Sequence, residues 1–274
     1  MKIIISHDVD HLSTREHWRK DLIMEKTIAR ACLQLFKSEI TPKTCLHRIS
    51  AAFQPRYCRI PEIIEYDSQH NIPSTFFFGM GNIHGMAYSI EQATEWVKYV
   101  VNKGFDAGVH AADISSQRSI QQEFNSFGNL YTKKRYGTRV HYVRYDDTTF
   151  EMLAAAGYLF DTTEFSKESF SLKQPYVITA TNGNRMWEFP LHIMDGYVLE
   201  RECKTAKERV SGLLHKAATE KVRFFTFLFH DIYFNEKTYP EWIDFYKWFV
   251  ATCEKEGHQF ISYHQAINML ENEQ

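Results

Sequence analysis

Lys2-Ile3-Ile4-Ile5-Ser6-His7-Asp8-Val9-Asp10-His11 opens the chain, and this stretch decides how the rest is read. Three consecutive β-branched isoleucines favour a buried strand, because their stiff χ1 angles suit a pleated sheet. Successive side chains on a strand point to opposite faces, so Asp8 and Asp10 leave it on the same side. Packing gives no reason for an apolar strand to end in two acids flanked by two histidines. Carboxylates held close together raise each other's pKa unless a cation sits with them. The pair therefore predicts the floor of an active site, one acid holding a metal and the other acting as a base.

Outward from this strand the chain alternates apolar runs with helical periodicity. Strands are expected at 2–5, 74–80, 106–111, 137–145, 158–162, 185–193, 222–230 and 259–262. Helices are expected at 18–37, 61–69, 89–102, 115–131, 148–156, 204–220 and 240–256, and 41–60 reads as irregular, with Pro42, Pro55 and Pro61 as punctuation. Repeated strand–helix units give parallel strands joined by right-handed crossovers. About seven such strands in 274 residues predict an α/β fold, a distorted, TIM-barrel-like (β/α) barrel. The chain reads as one domain, 1–274, with a helical or irregular insertion around 12–60. In such barrels the active site lies at the carboxyl ends of the strands. Asp8, Asp10, His110, His141, Arg144, Asp161 and His230 all fall there. His192 and Asp195, at another strand end, are weaker candidates.

The formal net charge of −2 argues against a general nucleic-acid or membrane footprint. One segment departs from this: residues 15–59 carry ten Lys/Arg against four acids, either a solvated surface or a contact for a phosphate-bearing substrate. Five widely spaced cysteines form no CxxC pair, so a zinc ribbon or redox motif is not indicated. No run is long and apolar enough to span a membrane, and the N-terminus enters a strand directly, so a reduced, cytoplasmic setting is expected.

In order along the chain, five stretches together resemble the polysaccharide deacetylase superfamily, carbohydrate esterase family four and its divergent relatives. Ile5-Ser6-His7-Asp8-Val9-Asp10-His11 resembles the first motif, in a DVD form of the paired aspartates. Ala107-Gly108-Val109-His110 resembles the histidine-bearing second motif, and Arg139-Val140-His141-Tyr142-Val143-Arg144 the arginine-bearing third. Gly157-Tyr158-Leu159-Phe160-Asp161-Thr162-Thr163 is similar to the fourth, and Phe227-Leu228-Phe229-His230-Asp231 to the fifth. Ile72-Pro73-Ser74-Thr75-Phe76-Phe77-Phe78 is similar to the second strand of that fold.

The resemblance implies a metal-dependent hydrolase that removes an N- or O-linked acetyl group from a sugar or oligosaccharide. Asp8 would be the base and His230 the acid. Arg139 or Arg144 would orient Asp8, and Asp231 or Asp161 would hold the His230 tautomer. A divalent cation, zinc, would be held by Asp10, His110 and a third ligand. The chain departs from the family here: the histidine expected four residues after His110 is Ile114. His141 is the replacement, with His7 and His11 as alternatives. Two further readings stay open: hydrolysis of non-sugar C–N bonds on the same fold, or a catalytically silent relative that binds glycans.

Overall fold

The computed structural model describes residues 1–13, 22–81, 85–131, 135–166, 170–202 and 205–273. In chain order its elements are β1 (Lys2–Val9), α1 (Ile23–Phe36), α2 (Pro42–Ala52), α3 (Ile60–Gln69), β2 (Thr75–Phe78), α4 (Ile90–Asn102), β3 (Asp106–Ala111), α5 (Gln117–Gly128) and β4 (Thr138–Val140). There follow α6 (Thr149–Ala156), β5 (Phe160–Asp161), β6 (Tyr176–Thr179), β7 (Arg185–Glu188), β8 (Ile193–Met194), α7 (Asp195–Glu202), α8 (Ala206–Thr219), β9 (Phe224–Leu228), α9 (Pro240–Lys255), β10 (Gln259–Phe260) and α10 (Tyr263–Glu271). Short 3-10 turns at His141–Val143 and Asp231–Tyr233 follow β4 and β9.

The strands form one sheet in the order β6-β7-β5-β4-β3-β2-β1-β9-β8, with β10 beside the start of β1. Every pairing is parallel except the β6–β7 hairpin. The sheet curls until its two ends meet on one stretch of chain. Residues 185–194 carry β7, paired with β5, and β8, paired with β9, with a Phe165–Leu191 bridge between them. This curled, mostly parallel sheet is the distorted (β/α) barrel that the strand–helix alternation predicts.

Alternation along the strands sorts the core into two layers. Ile3, Ile5 and Val9 of β1 pack with Phe76, Phe78, Phe225 and Phe227 in the large outer core under the helices. Ile4, Phe77, Phe160, Phe189 and Phe224 turn the other way and fill the barrel interior with Tyr263 of α10. Burying a phenylalanine side chain contributes roughly 1.5–3 kcal/mol, so this aromatic floor is a large part of the fold's stability. Climbing the inward row of β1 from Ile4, the next side chains are Ser6, Asp8 and Asp10. The apolar floor therefore gives way to charge at the carboxyl end.

Several local expectations need correction. Residues 42–52 are helical: Thr41 caps α2 by accepting from the Thr44 N–H, and Pro42 occupies the first turn, where its missing N–H costs nothing. The strand expected at 137–145 ends at Val140, because the chain turns through Tyr142 (φ 62°) and Val143 (φ 46°). The strand expected at 185–193 breaks into β7 and β8, and the hairpin partner β6 was not anticipated. Of the basic segment, Arg15, Arg19 and Lys20 lie outside the described residues, as does Cys203. No helix among the described residues is long and apolar enough to cross a membrane.

Candidate active site

The acids emerge side by side from the mouth of the barrel but sit in different surroundings. Asp8 is sealed in, with its side chain 3% exposed, and Asp10 lies nearer the rim at 18%. Below them, Arg139 of β4 is fully buried. It donates from Nη1 to Asp8 Oδ1 at 2.7 Å, from Nη2 to Ser6 Oγ at 2.7 Å and from Nε to the Thr162 carbonyl at 3.1 Å. Its guanidinium also lies over the Phe77 ring, 4.7 Å from the centroid. Burial pushes the Asp8 pKa up, but Arg139, helped by His110 and His230, outweighs it and holds the carboxyl below its usual value. Of the two arginines proposed to orient Asp8, Arg139 makes the contact. Arg144 donates instead to the His141 carbonyl at 3.1 Å and the Ala112 carbonyl at 3.0 Å.

Asp10, His110 and His141 converge. Asp10 Oδ1 lies 3.3 Å from His110 Nε2 and 3.4 Å from His141 Nδ1, and the two imidazole nitrogens are 3.0 Å apart. Among the described residues these three form the one group able to present three metal-ligating atoms to a common point. An ion about 2.0–2.1 Å from each of three tetrahedral ligands requires edges of about 3.3 Å between them, so the triangle has the right size for zinc. The donor chemistry fits as well. His110 Nδ1–H donates to the Arg139 carbonyl at 2.9 Å, which fixes the tautomer and turns the Nε2 lone pair inward. Two imidazole lone pairs cannot face each other at 3.0 Å unless a proton or a cation lies between them. Among the described residues, Asp10 Oδ1 and His141 Nε2 are buried without a hydrogen-bond partner, although Oδ1 faces both rings. Burial holds the His141 pKa below its usual value; burial also lowers that of His110, but Asp8 and Asp10 outweigh it and raise it.

The other histidines near the first motif stay out of this group. His7 points outward, donating from Nδ1 to the Phe229 carbonyl at 2.9 Å, with Nε2 3.3 Å from Asp67. The His11 ring meets the edge of Tyr57 at 5.8 Å. Ile114, where the family resemblance expects a histidine, packs half-buried against the outer core.

His230 faces Asp10 from across the mouth, with Nε2 3.8 Å from Asp10 Oδ2. Its partner is Asp195, at the start of α7. Asp195 Oδ1 accepts from Nδ1 at 2.8 Å and Oδ2 accepts the backbone N–H of His230 at 2.7 Å. This corrects the expectation that Asp231 or Asp161 would hold the ring. Asp231 instead accepts the Arg59 N–H at 2.7 Å, and Asp161 accepts from Thr163. Burial pulls the His230 pKa down, but Asp195, Asp10 and Asp8 outweigh it and lift it to about 10, so the ring is protonated at neutral pH. Glu123 of α5, which nothing in the sequence singled out, accepts the backbone N–H groups of Ala112 and Asp113 beyond His110. Of the aromatic residues near the motifs, Tyr142 and Tyr145 are exposed, whereas Trp187 is buried.

No family model matches the chain, and no curated protein matches it. Solved structures do. A protein assigned as a polysaccharide deacetylase from Mycobacterium smegmatis aligns with a TM-score of 0.64 at 14% identity, over 99% of this chain and 90% of that one. Another so assigned, from Pseudomonas aeruginosa PAO1, gives 0.59 at 9%, over 96% and 88%. The chain has the polysaccharide-deacetylase fold. The allantoinase Puue shares this fold, with a TM-score of 0.62 at 9% identity over 96% of this chain and 88% of its own. Identities this low establish architecture and leave the substrate to the site itself.

Proposed function

We propose that this chain is a metal-dependent hydrolase that removes an N- or O-linked acetyl group from a sugar or oligosaccharide, with zinc held by Asp10, His110 and His141. The observation that carries this reading is the ligand triangle, flanked by an arginine-paired carboxylate on one side and an aspartate-paired imidazole on the other. A divalent cation there supplies positive charge that polarises the scissile carbonyl and lowers the pKa of a bound water. Asp8, held ionised by Arg139, accepts the proton of the water that attacks the acetyl carbon. His230 donates its Nε2 proton to the leaving nitrogen or oxygen as the bond to the acetyl carbon breaks, while Nδ1–H stays on Asp195. Acetate and a free amine or hydroxyl are the products. Asp10 and His230 are the partly exposed members of the group, so substrate enters from their side.

The allantoinase neighbour keeps a second substrate class in view, because in a cyclic amide too water must attack an acyl carbon and a nitrogen must leave. Two measurements test the proposal together. Metal content is read by elemental analysis on the wild type, His110→Ala and His141→Ala. Product release is read on acetylated sugars beside small cyclic amides. About one zinc per wild-type chain, lost in both variants, with acetate released from the sugars alone, supports the deacetylase. Turnover confined to cyclic amides moves the chain to the second class. A wild type that takes up no added zinc, cobalt or nickel overturns the metal-dependent reading.

A further inference from the structure

His110 stands on β3, whereas His141 stands just past the end of β4, in the 3-10 turn. A pair of histidines four residues apart on one turn inherits its spacing from local backbone geometry, but a pair on two separate segments does not. The β3–β4 ladder pairs Val109 with Thr138, His110 with Arg139 and Ala111 with Val140, and there it ends. The next rung would join Ala112 to His141. The backbone cannot supply it, because beyond His141 the chain turns through the left-handed region at Tyr142 and Val143. A β-branched residue at φ 46° is held there only by its surroundings.

Arg144 spans the missing rung. Its Nε donates to the His141 carbonyl at 3.1 Å and its Nη2 to the Ala112 carbonyl at 3.0 Å, so one planar guanidinium joins the two residues the ladder fails to join. Glu123 grips the same peptide from behind. Its carboxylate accepts the Ala112 N–H at 3.0 Å and the Asp113 N–H at 3.2 Å. Ala112 is thus held by its N–H from α5 and by its carbonyl from Arg144. The segment so fixed runs from His110 to Ile114, whose side chain is committed to the outer core.

We propose that Arg144, backed by Glu123, is a positioning residue that sets the His110–His141 separation, and that this brace takes the place of a ligand at position 114 in determining metal affinity. The inference rests on the metal-site reading above and goes beyond it. Neither residue is one of the ligands: Arg144 acts through the carbonyls of His141 and Ala112, and Glu123 through the N–H groups two and three residues past His110.

The test measures zinc affinity by competition with a chromophoric chelator on the full chain. Arg144→Met removes both bonds while keeping an unbranched side chain. Arg144→Lys keeps the charge but places one ammonium where two carbonyls need donors. Val210→Ala, in the outer core on α8, controls for general destabilisation. Loss of supporting contacts around a ligand weakens metal affinity by roughly 10–100-fold. We expect a loss in that range for Arg144→Met, a smaller one for Arg144→Lys, and wild-type affinity for Val210→Ala. Arg144→Met within twofold of wild type, or Val210→Ala weakened as much as Arg144→Met, overturns the inference and leaves the metal site standing. A wild type that binds no zinc overturns the metal site and the brace together.

Discussion

Replacing Arg139 with methionine tests the interior electrostatics directly. The guanidinium is fully buried, and its link to Asp8 is a 2.7 Å ion pair with almost no solvent. Methionine fills much of the volume without the charge, so Asp8 is left as a buried carboxylate with no cation beside it. Breaking a buried pair from one side costs about 3–5 kcal/mol, more than the pair is worth as a unit, because the remaining charge stays desolvated. The other contacts are more forgiving. The Ser6 and Tyr263 hydroxyls already pair with each other at 3.4 Å, so neither is stranded when Arg139 is removed. At about 2–4 °C per kcal/mol for a domain approaching this size, the melting temperature should fall by on the order of 10 °C. The assay is urea unfolding followed by tryptophan fluorescence, on wild type, Arg139→Met, Asp8→Asn and the double variant. Removing both charges should recover a large share of the loss, with a coupling of about 2 kcal/mol or more between the sites. Arg139→Met within about 1 kcal/mol of wild type, or a double variant whose cost is the sum of the two singles, would refute the ion-pair account.

The two acids should separate in function: Asp8→Asn is expected to keep its metal and lose turnover, and Asp10→Asn to lose the metal, with elemental analysis and acetate release as the paired readouts. Asp195→Asn removes the carboxylate that keeps His230 charged and oriented, so kcat should fall by about 100-fold or more in a steady-state assay, with metal content unchanged. His192 is buried, and burial lowers its pKa to about 4. The unfolded chain takes up that proton near pH 6.5, so the native state is fully favoured above that pH and loses roughly 3 kcal/mol as pH falls toward 4; urea midpoints across this window should slope less in His192→Gln than in wild type. A Cβ added at Gly137 would lie 2.3 Å from the Phe160 ring, so Gly137→Ala should cost about 1–3 kcal/mol by the same unfolding assay.

The parts of the site written in strand periodicity were legible, and those set by tertiary choice were not. Asp8, Asp10 and His110 follow from apolar runs ending in charge, since alternation fixes which face they take. The same parity could have separated the arginines: Arg139 and His141 fall on one face of the strand expected at 137–145 and Arg144 on the other. The hairpin at 176–188 also had a local signal, Asn182-Gly183, with Gly183 at φ 86°. Pro42 reads as punctuation, yet a capping threonine before a proline also opens a helix. Asp195 is a different case. Its pairing with His230 depends on β8 lying beside β9, a contact that no spacing in the chain encodes. Glu123 belongs there too, a helical acid that reaches back to the backbone amides of the loop leading into its own helix.

Depth in the barrel separates two acids of the same type only two residues apart. One step down the inward row, Asp8 meets Ser6, Arg139 and the aromatic floor, where a fixed cation beneath it is the stable arrangement and solvent is excluded. One step up, Asp10 meets the imidazoles of His110 on β3 and His141 just past β4, and an opening toward His230. Burial raises the pKa of both carboxyls, yet both end below the ordinary value, by different means: Asp8 through the permanent charge of Arg139, Asp10 through the His110 and His141 nitrogens. A permanent internal cation holds Asp8 ionised, the state that the proposed base needs. Asp10 faces two ring nitrogens, the set that the proposed metal would use. Parallel strands in register place these two environments one layer apart, and the DVD spacing is the shortest that reaches both from a single strand.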